Sequence, residues 1–248
     1  MRRCRRDERN LVDAGARQIA RLLCAAAVTT SALLSPQIDI PSASAAPCPD
    51  VEVVFARGTF EPPGIGATGE AFVDSLRSQV GGKSVDVYPV NYPASLDFHT
   101  AADGVIDASN KVRDIATSCP NTKMVLGGYS QGAAVIAYIT ADAIPAGFIP
   151  PAGITGPMPP GVANHVAAVA LFGKPSNGFL NRIDTEAPPI TIGHLYSAKT
   201  IDQCIAEDPV CSPDGNDNGA HGLYMVNGMA GQAADFAERR LSSSGATA

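Results

Sequence analysis

Gly128-Tyr129-Ser130-Gln131-Gly132 sits directly behind an apolar run (Met124, Val125, Leu126) and ahead of Ala133-Ala134-Val135-Ile136-Ala137. A G-x-S-x-G pentapeptide between a strand pattern and a helix pattern constrains the chain strongly. In such an elbow the serine occupies a strained strand-to-helix turn, and the flanking glycines leave room where side chains would clash. The hydroxyl is pushed out of the sheet beside a helix N-terminus, where backbone N–H groups can face a developing oxyanion. A chance pentapeptide on an ordinary turn would lack that context.

The segments around the elbow alternate between strand-like and helix-like. Strands are expected at residues 51–55, 85–90, 123–127, 166–172 and 191–196. Helices are expected at 70–80, 101–118, 131–144 and 223–241, the last with Val226, Met229, Ala233, Phe236 and Ala237 on one face. Val105, Ala108, Val112 and Ile115 recur at helical spacing, and Pro120 blocks continuation. Five strands separated by helices predict an α/β fold, a three-layer arrangement with a central, mostly parallel five-stranded sheet. Residues 145–161 depart from this economy, with ten of 17 positions Pro or Gly and Phe148, Ile149, Ile154 and Met158 among them. Such a loop either touches a greasy substrate or folds its apolar residues onto the body.

The first 45 residues read as a cleaved signal peptide. Seven arginines from Arg2 to Arg21 precede a short apolar core at 22–34, and Ala43-Ser44-Ala45 offers an A-x-A cleavage site. Thr29, Thr30 and Ser31 interrupt that core, which is too short for a membrane span. The expectation is Sec export and a secreted protein, extracellular or held in the cell envelope, with residues 46–248 forming one domain. Without the leader the chain has 11 basic and 20 acidic residues, a net charge of −9. That balance argues against nucleic acid and against docking on anionic lipid. Cys4 and Cys24 leave with the leader, so Cys48, Cys119, Cys204 and Cys211 remain. An even count in an exported chain reads as two disulfides, with three possible pairings. Cys204–Cys211 is the natural local pair, leaving Cys48–Cys119. The spacing is wrong for structural zinc.

A serine hydroxyl needs a base within hydrogen-bond reach. Of the histidines outside the leader, His165 and His194 fall in strand patterns and His99 in a polar loop ahead of a helix. His221 lies in a turn-rich loop just before the last helix. Elbow proteins order their triad Ser, then Asp/Glu, then a late-loop His, which favours His221. Candidates for the orienting acid are Asp184, Asp202, Asp208, Asp214 and Asp217; a Cys204–Cys211 bridge would close a small ring around Asp208.

Residues Phe55-Ala56-Arg57-Gly58-Thr59, the elbow, Asp208-Pro209-Val210-Cys211 and His221 together resemble the cutinase family of serine esterases. The resemblance runs from Cys48 to the last helix, with motifs in family order, and is closest to secreted cutinase-like proteins of mycobacteria and other actinobacteria. It implies an α/β-hydrolase fold with Ser130 as nucleophile, His221 as base and Asp208 as orienter. The implied oxyanion hole is the Gln131 N–H plus Thr59, through its N–H and hydroxyl, where many members have Ser. Disulfides Cys48–Cys119 and Cys204–Cys211 are implied too. So are hydrolysis of carboxylic esters without metal or cofactor, and an ester or lipid substrate for a monomeric enzyme. Residues 212–220 are polar and acidic where fungal cutinases are apolar. That favours short or medium acyl esters over polymeric cutin. Other readings of the same chain are a phospholipase or thioesterase, or a catalytically weak surface or antigenic binding protein on a hydrolase fold.

Two further patterns carry little. Gly64-Ile65-Gly66-Ala67-Thr68-Gly69 spells the dinucleotide fingerprint, yet eight residues separate it from Phe55, whereas a pyrophosphate turn must leave its strand at once. Residues 214–219 resemble the opening of a calcium loop, but the twelfth position is Met225 instead of Glu.

Overall fold

The computed structural model describes residues 47–243, so the expected leader lies outside the described residues. Five strands, β1 (Val51–Ala56), β2 (Val85–Pro89), β3 (Lys123–Tyr129), β4 (Val166–Phe172) and β5 (Thr200–Gln203), form one sheet in the order β2-β1-β3-β4-β5. Every pairing is parallel. The inner strands β1 and β4 are buried along their whole length, as a sheet covered on both faces requires.

Helices α1 (Gly66–Gln79), α2 (Ala101–Ser118), α3 (Gln131–Ile139), α4 (Asn177–Ile183), α5 (His194–Ser197) and α6 (Met229–Ser243) supply the outer layers. One face buries Val53, Phe55 and Phe172 against Phe72 and Leu76 of α1 and Ala233 and Ala237 of α6. Phe55, Phe72 and Phe172 form a mutual aromatic cluster with ring centroids 5.9 to 6.4 Å apart. The opposite face buries Val54, Leu126 and Leu171 beneath α2 and α3. The strand order reverses between β1 and β3, and in open parallel sheets ligands bind at the carboxyl ends of the strands beside such a reversal. Thr59 follows β1 there and Ser130 follows β3.

Four expected elements differ. Residues 191–196 do not form the fifth strand. The Gly193 N–H bonds to the Thr140 carbonyl, the Asp142 carboxylate accepts from the His194 N–H, and the chain turns into α5. The true β5 is a four-residue edge strand, Thr-Ile-Asp-Gln, too short and polar to announce itself by apolar pattern. The closing helix starts at Met229, because Gly228 adopts φ +89° after turns at 223–227, and Val226 is exposed instead of joining the apolar face. Helix α3 stops at Ile139 instead of reaching 144. Helix α1 begins at Gly66 instead of residue 70, inside the fingerprint-like glycines, ten residues beyond the end of β1.

The loop at 145–161 folds part of its apolar content onto the body and leaves part exposed. Met158 is buried and Ile154 packs against the α2 face of the core, while Ile149 is 88% exposed. Both disulfides are present; Cys48–Cys119 joins the start of the described chain to the end of α2. Among the described residues, no helix is long and apolar enough to cross a membrane.

Among the described glycines, the closest approach is at the elbow. A Cβ on Gly132 would lie 2.0 Å from the Ala56 carbonyl oxygen, a backbone atom that cannot swing away. Gly132→Ala should therefore cost about 3 kcal/mol or more in urea unfolding, or prevent folding outright. Gly161→Ala, where nothing lies within 4 Å, should leave stability unchanged or raise it by about 0.4–1 kcal/mol.

Candidate active site

Ser130 has φ 54° and ψ −120°, a conformation costly for any residue but glycine. The surroundings over-determine it. Its N–H bonds to the Phe172 carbonyl at 2.9 Å, and its carbonyl accepts from Ala133 N–H at 2.9 Å as α3 begins. A Cβ on Gly128 would come within 2.3 Å of the Gly132 carbonyl. Both glycines of the pentapeptide are thus steric necessities, and the turn presents Oγ at the sheet's carboxyl edge.

Two other segments meet that hydroxyl. The Ser130 Oγ lies 2.8 Å from His221 Nε2, and His221 Nδ1 lies 2.7 Å from Asp208 Oδ2. With the carboxylate as acceptor, Nδ1 carries the proton and Nε2 is left to accept from the serine hydroxyl. Asp208 is fully buried, and the His221 side chain is 20% exposed. The other acid candidates are elsewhere: Asp202 pairs with Lys174 at 3.3 Å, and Asp217 accepts from the Gly219 N–H. His194 pairs with Asp142 on the surface, and His165 ends a 3-10 turn.

The ring closed by Cys204–Cys211 holds the carboxylate. Asp208 N–H bonds to Ile205 O, its carbonyl accepts from Ser212 N–H, and Oδ1 accepts from Val210 N–H at 2.9 Å. The Cys211 sulfur lies 3.3 Å from Oδ2, a packing contact, since a half-cystine has no proton to give. A residue that sequence reasoning passed over completes the shell. Tyr224, fully buried, donates to Asp208 Oδ2 at 2.7 Å and accepts from Ile205 N–H at 3.1 Å. Tyr129, inside the pentapeptide, donates to the His221 carbonyl at 2.6 Å and packs its ring 5.1 Å from the imidazole. Gly173, at φ +56°, is required because a Cβ there would sit 2.9 Å from His221 Cε1. Only the position of Tyr224, three residues after His221, could have hinted at its role.

The strand-end loop carrying Thr59 is fixed as firmly. Arg57 is buried and donates Nε–H to the Glu61 carbonyl at 2.8 Å and Nη2–H to the Tyr92 carbonyl at 2.6 Å, its guanidinium 5.1 Å over the Tyr92 ring. The Glu61 carboxylate accepts from Gly58 N–H and, at the start of α1, from Ala67 N–H. The close approach of Gly132 to Ala56 and Arg57 lays the first turn of α3, with the Gln131 N–H, beside this loop. The calcium-like stretch at 214–219 lies in turns, with the Gly215 N–H bonded to the Ser212 carbonyl and the Ala220 N–H to the Asp217 carbonyl.

A model of the family described as Cutinase matches residues 47–241. The chain is 49% identical over 230 residues to a Mycobacterium tuberculosis protein named Carboxylesterase Culp1, covering 92% of this chain and 99% of that one. It is 48% identical over 226 residues to Phospholipase Culp4 of the same organism, covering 91% and 93%. A solved structure of Trichoderma reesei cutinase in complex with a phosphonate inhibitor matches with TM-score 0.58 at 31% identity, over 79% of this chain and 78% of that one.

Burial raises the Tyr129 and Tyr224 hydroxyls well above the ordinary phenol range, and the Asp208 charge adds to both. Burial likewise pushes Tyr196 up to about 12. The folded protein keeps these groups neutral where the unfolded chain ionises, near pH ~10. Stability is therefore full below that pH and declines as pH rises through and beyond it. Thermal scans should show Tm falling above pH ~10, with tyrosine absorbance titrating later than in the denatured chain. Tyr224→Phe strips a donor from the buried carboxylate and should cost about 1.5–3 kcal/mol in urea unfolding.

Proposed function

The chain belongs to the cutinase family and has its α/β-hydrolase fold, and on that premise we propose that it is a secreted carboxylic ester hydrolase working through Ser130, His221 and Asp208. The observation that carries the reading is the unbroken line from Ser130 Oγ through the imidazole to Asp208, at 2.8 and 2.7 Å. The relative named a carboxylesterase supports the reaction class. The two disulfides support export, since such bonds persist in oxidising compartments.

Ser130 Oγ attacks the ester carbonyl carbon as His221 Nε2 takes its proton. Asp208 holds the imidazole in the tautomer that leaves Nε2 free, and stabilises the imidazolium that forms. The carbonyl oxygen becomes an oxyanion, received by the Gln131 N–H and by the N–H and hydroxyl of Thr59. The tetrahedral intermediate collapses, the C–O bond to the alcohol breaks, and His221 returns the proton to the leaving oxygen. Water then repeats the sequence on the acyl-enzyme, releasing the acid and restoring the Ser130 hydroxyl. The acyl chain is short or medium in length. A glycerophospholipid is a second substrate to assay, because a relative at 48% identity is named a phospholipase.

Ser130→Ala should lower kcat/KM on p-nitrophenyl butyrate by about 10⁴-fold or more and abolish labelling by a fluorophosphonate probe. A variant that hydrolyses at the parent rate would overturn the assignment. A folded parent that takes no label would favour a binding protein on this fold. Thr59→Val keeps the N–H but removes the hydroxyl, and should reduce kcat by about 10²-fold with little change in KM.

A further inference from the structure

A cavity of about 280 Å³ lies between α2, α3 and the loop at 145–161, and nothing in the mechanism above uses it. Its walls are apolar over most of their extent. On α2 the lining residues Ala102, Ile106 and Arg113 fall on one helical face, and on α3 so do Gln131, Ala134 and Tyr138. Phe148 and Ile154 of the loop form the outer wall, with Gly153 seated on Ile106. From Ala102 to Arg113 the α2 face spans about 16 Å at 1.5 Å per residue.

Gln131, the residue after Ser130, lines the cavity. This residue is 2% exposed, its Nε2 donates to the Ser95 carbonyl at 2.9 Å, and its Oε1 has no hydrogen-bond partner. Its backbone N–H belongs to the proposed oxyanion hole, and its side chain lines the cavity. An ester carbonyl bound at that N–H therefore stands one residue from the cavity wall. Pro175, three residues beyond β4, lines the same region.

We propose that this cavity is the acyl-chain site, receiving the hydrocarbon of a medium-chain ester while the alcohol portion stays in the open. The inference rests on the reading of Ser130 as nucleophile and of Gln131 as an oxyanion donor. The occupant follows from shape and polarity. An apolar space lined by Gln131, the residue whose N–H would receive the carbonyl oxygen, suits an unbranched alkyl chain, and at about 30 Å³ per water-sized group it holds on the order of nine methylenes. The loop at 145–161 gains a function: its prolines stiffen a cover that shields the chain from water. Chain-length preference is thus set by α2 and by this loop, away from the polar residues 212–220.

The test is a kinetic series of p-nitrophenyl esters from acetate to palmitate with the parent, Ala102→Phe and Phe148→Ala. For the parent, kcat/KM should rise about four-fold per added methylene until the cavity is full, near ten carbons, and then level off. Ala102 is half-buried on a helix surface, so phenylalanine there fills the cavity instead of overpacking the core. That variant should shift the break towards about six carbons, lowering the decanoate-to-acetate ratio by ten-fold or more. Phe148→Ala opens the cover and should lower the same ratio. Fluorophosphonate labelling of Ser130 confirms that each variant retains a folded site. A parent profile without a break, or a ratio unmoved in labelled variants, overturns the cavity assignment and leaves the esterase reading intact. An ester series varying the alcohol instead of the acid, if it alone responded to Ala102→Phe, would overturn it too. Absence of all hydrolysis and labelling overturns both.

Discussion

The whole arrangement depends on one close approach: the first turn of α3 against the carboxyl end of β1. Gly132 has no room for a methyl group beside the Ala56 carbonyl, and Gly128 none beside Gly132. That contact forces Ser130 into its costly backbone conformation. It also sets the Gln131 N–H beside the loop carrying Thr59. The strain is sustained by the sheet on both sides, β1 through Gly132 and β4 through the Phe172 carbonyl.

Legibility from sequence followed the strength of the steric and periodic signal. The elbow was readable because its glycines and the flanking apolar runs are local. Strand β4 was readable because full burial on both faces leaves an unbroken apolar run, and β1 because Glu52 alone interrupts its run. The edge strand β5 has no such run, and residues 191–196 imitated one until the contacts of Gly193 with Thr140 and of His194 with Asp142 drew them into a turn. The structure brings Ser130, His221 and Asp208 together, as the motif order led one to expect. The support from Tyr224, Tyr129 and Gly173 was invisible, because it comes from three segments that meet only in space.

Asp208 illustrates how a buried charge is made tolerable. Removing a carboxylate from water is expensive unless hydrogen bonds replace its hydration. Here Val210, His221 and Tyr224 supply donors, and the short disulfide keeps the ring that carries Asp208 and Val210 from opening. The Tyr224 hydroxyl is committed at both ends, accepting from Ile205 and donating to Asp208, so it cannot rotate away without exposing two unpaired groups. The same ring of Tyr224 closes the aromatic cluster of the α1–α6 face against Phe172. Packing of the core and aim of the carboxylate are in this way one constraint.

The two faces of the sheet consequently carry different duties. The α1–α6 face is filled by large aromatic side chains and leads, through Tyr224, to the acid and the base. The α2–α3 face is lined near its outer edge by alanines and by a proline-rich cover that does not fill the space beneath it. A well-packed interior has few voids larger than a water molecule, so an apolar space of this size, lined by the residue after Ser130, leaves its walls short of contacts. A ligand of matching shape restores those contacts only while it is bound. Because the cover is a loop, its length and residues can change without disturbing the elbow, whose geometry is held by β1, β3 and β4. In the proposed reading, selectivity for the acyl chain and the geometry around Ser130 reside in separate parts of the chain that meet at Gln131.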